Sequence, residues 1–319
     1  MVQPHLKSQE TLNDIATNTG DLPAFPAAAL QIMRESESPT CTAARIAELI
    51  NHDPALCARV LRLANSPYYG LARQVADVQD AVVLLGLRSV RNLAMVAATY
   101  AWMSQPIRAY DLQPKQMWVN AFGTANIAQE VARMVRVPDV DHVFTAGLLH
   151  DLGKIAIGLW LEKRAHGTVR VLVRQLLRKN ATFDLVERQV LGFTHADAGS
   201  YLAELWNLPK SIVDAIKYHH DPDLCDPASK IVDCVHVGMV LSESMTTQIL
   251  AEFDAEEGAP VEEPAPVVIE GEPVRPGEGA MLRLRLKDED LNDLKERCLV
   301  AFRGYAQMFE DPGTRRAAA

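Results

Sequence analysis

The amino-acid sequence predicts an all-α protein, on three observations. From about residue 22 to about residue 250, apolar residues recur at helical spacing. Period-two alternation, the mark of a half-buried strand, is almost absent over the same stretch. Capping residues and Pro or Gly clusters sit where the helical runs would start and stop. With 319 residues, 48% of them hydrophobic, the chain can build a sizeable core, as two domains or as one large domain with an appendage.

Taken in order, "PTCTAARIAELINHD" places Ala44, Ile46, Ala47, Leu49 and Ile50 on a helical period, with Thr40 or Thr42 as N-cap. "PALCARVLRLANS" opens on Pro54, whose missing N–H is harmless in a first turn, and continues the period through Leu56, Val60, Leu61 and Leu63. It stops at "NSPYYG", a turn cluster with Pro67 and Gly70. The long apolar run from Val78 to Trp102 is expected to break or bend near Gly86.

Composition changes sharply at residue 253. Residues 253 to 280 hold eight acidic residues against Arg275 alone, with five prolines, and so carry 8 − 1 = 7 of the chain's nine net negative charges. Such a segment reads as an extended, self-repelling linker. After it, "LRLRL" (282 to 286) alternates as a short strand would. "DEDLNDLKERCLVAFRGYAQMF" then reads as an amphipathic helix with Leu291, Leu294, Leu299, Phe302 and Tyr305 towards one side. That helix is expected to dock on the same chain.

A net charge of −9 disfavours a broad nucleic-acid surface. The polar start lacks a signal-peptide core, and no apolar run approaches the roughly 20 residues that cross a bilayer. Five scattered cysteines without a CxxC pair suit reduced thiols. The expectation is a soluble cytoplasmic protein.

"AGLLHDLGKIAI" carries the doublet His150-Asp151, both good ligands for a divalent transition metal. His195, His219, His220 and Asp233 are further side chains that a metal can use. His219-His220 also fits a helix C-terminus, where histidine favours the negative end of the dipole. In "NSPYYG", Asn65, Tyr68 and Tyr69 are candidates for a partner-binding loop or for a helix stop with rings packed inward. Arg88 and Arg91 suit a phosphate contact or a solvated helix face. No Gly-rich phosphate loop, nucleophile elbow or dinucleotide fingerprint is present.

Five pieces, in order and spacing, resemble the HDOD family, the HD-related output domain of bacterial signalling proteins: "LPAFP" (22 to 26), "IAELINHDPALCARVLRLANSPYYG" (46 to 70), "VQDAVVLLGLRSVRNLAM" (78 to 95), "FTAGLLHDLGKIAI" and "HADAGSYLAELWNLPKSIVDAIKYHH". The resemblance implies two packed helical bundles, the second built like the HD phosphohydrolase superfamily. The implied organisation is an extension over 1–20, an HDOD domain over 21–252 (an N-terminal part to about 112, an HD-like part over 113–252), the acidic linker over 253–280 and an appendage over 281–319.

In HD phosphohydrolases an upstream His, the His-Asp doublet and a later Asp hold a metal. Carried over, these positions are Asn120, His150-Asp151 and Asp233, with His195, His219 and His220 at the extra positions of the cyclic-dinucleotide phosphodiesterases. Asn120 stands where the upstream His is expected, which removes a nitrogen donor and weakens the site. "HHDPDLCDP" also lacks the Gly-Tyr-Pro signature, which argues against cyclic di-GMP hydrolysis. The implied function is a non-catalytic signalling module that binds other signalling proteins or a second copy of itself, with no cofactor beyond a weakly held divalent metal. The competing class is a metal-dependent phosphohydrolase using His150, Asp151 and Asp233.

Overall fold

In the computed structural model, the described residues are 10–15, 26–38, 40–66, 69–110, 112, 116–163, 182–256 and 275–307. Among them the fold is all-α; the sole β pairing is an isolated bridge between Ile107 and Leu112. The chain divides into two compact units: Ala24–Trp102 with Asn292–Ala319, and Met1–Pro23 with Met103–Leu291.

The first unit holds α1 (Ala27–Glu37), α2 (Ala43–Asn51), α3 (Pro54–Ala64), α4 (Val78–Leu85) and α5 (Leu87–Met103). Thr42 caps α2 by accepting from the Arg45 N–H, and α2 buries Ile46, Ala47 and Ile50. Asp53 caps α3 ahead of Pro54 and accepts from the N–H groups of Ala55 and Leu56. Gly86 separates α4 from α5 at φ 84°, a backbone region that side chains resist, so the expected break is a full helix end. Asn65 closes the loop after α3: its amide donates to the Val75 carbonyl at 2.9 Å and accepts the Val75 N–H at 2.7 Å.

The second unit is built from α6 (Gln116–Met134), α7 (Val140–Leu149), α8 (Leu152–Lys163), α9 (Phe183–Leu191), α10 (His195–Leu205), α11 (Lys210–Tyr218), α12 (Lys230–Glu256) and α13 (Glu278–Leu284). Single 3₁₀ turns lie at Arg108–Tyr110 and Pro222–Leu224. Helix α6 is buried on nearly every face and packs against α7 and α12, while α8 and α11 pack on α10. Residues 10–15 join this unit: Ile15 is buried, the Trp160 indole donates to Asp14, and the Tyr201 hydroxyl donates to Asn13.

One close approach fixes how α8 crosses α10. A Cβ on Gly153 would collide with the His195 carbonyl and lie 2.8 Å from the Gly199 nitrogen, so the two helices meet backbone to backbone. This crossing brings the start of α10 against the start of α8.

Two expectations change. "LRLRL" is not a strand: its first three residues complete α13, which buries Ala280, Met281 and Leu284 at helical spacing and leaves Leu282 in solvent. Arg285, at φ 57°, ends the helix in the left-handed region. Helix α12 also runs to Glu256, past the expected linker start, and α13 begins at Glu278, before the expected linker end; residues 257–274 lie outside the described residues. The C-terminal helix α14 (Asp288–Gln307) forms as expected and buries Leu291, Leu294 and Cys298; the side chains of Phe302 and Tyr305 lie outside the described residues.

Two stability predictions follow from this packing. Gly153→Ala pushes a methyl into backbone that cannot yield, and urea unfolding should show a loss of about 3 kcal/mol. Leu294→Asp places a carboxylate at a position that is 1% exposed and should cost at least about 3 kcal/mol by the same measurement.

Candidate metal centre

Two histidines are delivered by one local device used twice. Helix α7 ends at His150 and α11 ends at His219. Each ring turns back on its own last turn: His150 Nδ1 lies 2.8 Å from the Gly147 carbonyl, and His219 Nδ1 lies 2.7 Å from the Ile216 carbonyl. A carbonyl only accepts, so each Nδ1 carries the proton and donates it. Nε2 is thereby aimed away from the helix, which is how metal-binding histidines are held.

The third histidine opens a helix. Thr194 and Asp197 form a capping box that starts α10 at His195. The His195 N–H and its Nδ1 both donate to Glu187 Oε2, at 2.6 and 2.7 Å, and the Tyr110 hydroxyl donates to Glu187 Oε1 at 2.5 Å. Glu187, from α9, is fully buried. His220, next along from His219, brings its Nε2 to 2.9 Å from His195 Nε2.

Asp151, between α7 and α8, is where these elements converge. Its Oδ2 accepts from Lys154 Nζ at 2.7 Å and lies 3.3 Å from His150 Nε2. Its Oδ1 lies 3.3 Å from His195 Nε2 and 3.8 Å from His219 Nε2. His150, His195 and His219 are 0% exposed, and Asp151 is 3% exposed. His150 Nε2, His219 Nε2 and Asp151 Oδ1 are buried without a hydrogen-bond partner, as is Asn120 Oδ1 on α6. Lone pairs facing lone pairs in a dry site need a proton or a cation between them. Among the described residues, two sets converge to within 4.8 Å: His150, Asp151 and His219; and His195, His219 and His220. Imidazole with carboxylate is the donor chemistry of zinc and related ions, so the cluster fits a metal.

The electrostatics describe the cluster with protons in place of metal. Burial raises the Asp151 carboxyl, but the neighbouring His150 and the Lys154 ammonium outweigh it and hold the group well below the carboxylate range. Burial likewise opposes charge on His195, yet the Glu187 carboxylate beside it drives the imidazole up to about 9. Burial and then the neighbouring His220 push His219 well below its usual value; burial and then His195 do the same to His220. Lys154 stays charged because Asp151 offsets its burial. Two cations, Lys154 and His195, thus balance two anions, Asp151 and Glu187. Glu243 on α12 feels Lys154, Asp151, His150 and His195, and burial raises its carboxyl.

Asp233 belongs to neither converging set. It sits on the first turn of α12 and is bound instead by Arg283 from α13, with Nε at 2.9 Å from Oδ2 and Nη2 at 2.6 Å from Oδ1. Asp233, expected as a ligand with His150 and Asp151, is thus engaged by Arg283, while Glu243, ten residues along the helix, is the α12 carboxyl that interacts with the cluster. Asn65 spends its amide on Val75; Arg88 is exposed, Arg91 and Tyr69 are half-buried, and Tyr68 lies outside the described residues. All five belong to the other unit. Sequence reasoning missed Glu187, Lys154, Tyr110 and Glu243. Lys154 had a signal, since it follows Asp151 by three positions, one helical turn; Glu187 and Tyr110 are joined to His195 only by the fold.

Comparison with known proteins gives the same architecture. The family model for the HDOD domain matches residues 22–222. A Treponema pallidum (strain Nichols) protein of uncharacterised role is 27% identical over 209 residues, 65% of this chain and 39% of its own, so the chain spans about two fifths of that relative. A Shewanella amazonensis SB2B structure with the provisional name phosphohydrolase is 23% identical, covers 95% of this chain and 98% of its own, and gives a TM-score of 0.62. A Marinobacter aquaeolei VT8 structure, provisionally named a signal transduction protein, is 22% identical, covers 97% of this chain and 67% of its own, and gives 0.71. These two likenesses establish the fold.

The pKa directions give a two-sided pH dependence. His195 binds a proton more tightly folded than unfolded, so its contribution is complete below its unfolded value near 6.5 and is lost as pH rises to about 9. His219 and His220 stay neutral when folded, so stability also falls as pH drops below about 6.5 and the unfolded chain takes up their protons. Urea midpoints across this range should be highest near neutrality. Glu187→Gln should flatten the alkaline limb, worth on the order of 2 kcal/mol, and leave the acid limb in place.

Proposed function

The chain belongs to the HDOD domain family, and we propose on that premise that it is a bacterial signal-transduction module that acts through protein–protein contact and does not turn over a substrate. One observation carries this reading: the cluster where the superfamily's chemistry would reside is closed and balanced by its own charges. His150, Asp151, Lys154, Glu187, His195 and His219 are all 4% exposed or less. A catalytic metal site keeps a position open for water or substrate, whereas a closed set of ligands is the structural kind. Lys154 and the His195 proton balance the charge of the two carboxylates, Lys154 on Asp151 Oδ2 and His195 on Glu187.

A specific observation favours a second reading, a metal-dependent phosphohydrolase. The unpartnered Nε2 atoms of His150 and His219, with Asp151 Oδ1, form a donor set to which His195 and His220 add more nitrogen. These residues would hold the ion, and a bound divalent metal supplies a polarised water for attack at phosphorus. This chain's own residues would do the rest: Glu187 holds the His195 ring in place, Lys154 orients Asp151, and His220 is the one half-buried histidine of the set.

Two measurements separate the readings. Protein purified without added metal should hold well under one equivalent of transition metal and give no hydrolysis of p-nitrophenyl phosphate or cyclic dinucleotides above an Asp151→Ala control. A full equivalent, with activity abolished by that substitution, would overturn the module reading. Zinc must displace the proton on His195 to recruit it, so zinc affinity should rise between pH 6.5 and 9 with release of at least about one proton per ion. Calorimetry in buffers of different ionisation enthalpy reads that proton.

A further inference from the structure

A short segment at the end of the acidic stretch is tied to the histidine cluster by a path that involves neither metal nor substrate. Helix α13 packs on α12 and on the 3₁₀ turn Pro222–Leu224, burying Ala280, Met281 and Leu284. Arg283 pins it there. Beyond its forked contact to the buried Asp233, its Nη1 donates to Asp223 Oδ1 at 2.6 Å, so one guanidinium bridges the turn and the helix. A second tie lies six residues earlier, at the N-cap of α13. The Gly277 N–H donates to His236 Nε2 at 2.9 Å, and the same ring's Nδ1 donates to the His219 carbonyl at 2.7 Å. His236 therefore links the backbone of this segment directly to the backbone of a cluster histidine.

We propose that residues 277–284 are a latch that sets the position of His219 through His236, with Arg283 as its clasp. The energies are arranged for such a device. The clasp is strong, because the charged, forked contact reaches a carboxylate that is 1% exposed. Yet the latch is short, its Leu282 faces solvent, and Arg283 itself is 29% exposed, so a competitor can reach the guanidinium. With the latch seated, the His219 carbonyl has a fixed donor, and the ring, whose Nδ1 is held by Ile216, points Nε2 at Asp151. With the latch released, the His236 ring loses one of its two partners and the turn at His219-His220 loosens. The arrangement gives Asp233 a definite role as the anchor of the latch. It stands whether the cluster serves a partner-binding module or a phosphohydrolase, because it concerns only the order of the turn.

Amide hydrogen exchange on the full chain, read in peptides covering 216–221 and 278–284, tests it with no added metal or partner. Arg283→Gln removes the clasp and should speed exchange about tenfold in both peptides. Faster exchange confined to 278–284, with 216–221 unchanged, would overturn the proposal. Should Arg283→Gln fail to fold, His236→Phe keeps an aromatic ring and the Arg283 contacts but cuts the link. It should speed exchange in 216–221, and an unchanged rate there would overturn the proposal equally.

Discussion

A single buried carboxylate organises the second unit. Asp151 sits at the junction of α7 and α8, 3% exposed, with Lys154, His150, His195 and His219 arranged around its two oxygens. A carboxylate taken out of water is tolerated only when it is surrounded in this way; left without partners it would cost several kcal/mol. The requirement reaches well beyond the site. His195 must start α10, which calls for the capping box, for Glu187 from α9 and for the backbone contact at Gly153. His219 must end α11, and the chain leaving it must return along α12.

The same requirement explains why a metal-ready geometry and a closed core coexist. Fixing each Nδ1 on a carbonyl or carboxylate is what orients a histidine for a metal, and it is also what satisfies a buried ring without one. Lys154 and protonated His195 supply two positive charges next to two carboxylates, the neutralisation a divalent ion would otherwise provide. Metal and protons are thus alternative occupants of one electrostatic frame.

Much of this was legible in the sequence. Helical periodicity with Thr42 and Pro54 at helix starts, and the break at Gly86, follows from local chemistry that acts within one turn. The histidines and Asp151 were legible as candidates because the ligand chemistry is confined to few residue types. What was not legible depends on distance along the chain. Glu187 and Tyr110 are 77 residues apart and meet only in the fold. The resemblance pointed to Asp233 as a ligand, but no local rule foresees its contact with Arg283, 50 residues later. "LRLRL" misled for a different reason: a run of five satisfies a two-residue period by chance, whereas the burial of Ala280, Met281 and Leu284 follows the helical one.

The most direct test of the account is the protonation of the cluster's rings, read by long-range ¹H–¹⁵N correlation on histidine-labelled, metal-free protein near neutral pH. The account predicts His219 as a neutral ring protonated on Nδ1 with a bare Nε2, beside His195 protonated on both nitrogens until pH approaches about 9. A His219 ring protonated on Nε2, or a His195 ring that is neutral at pH 7, would contradict it.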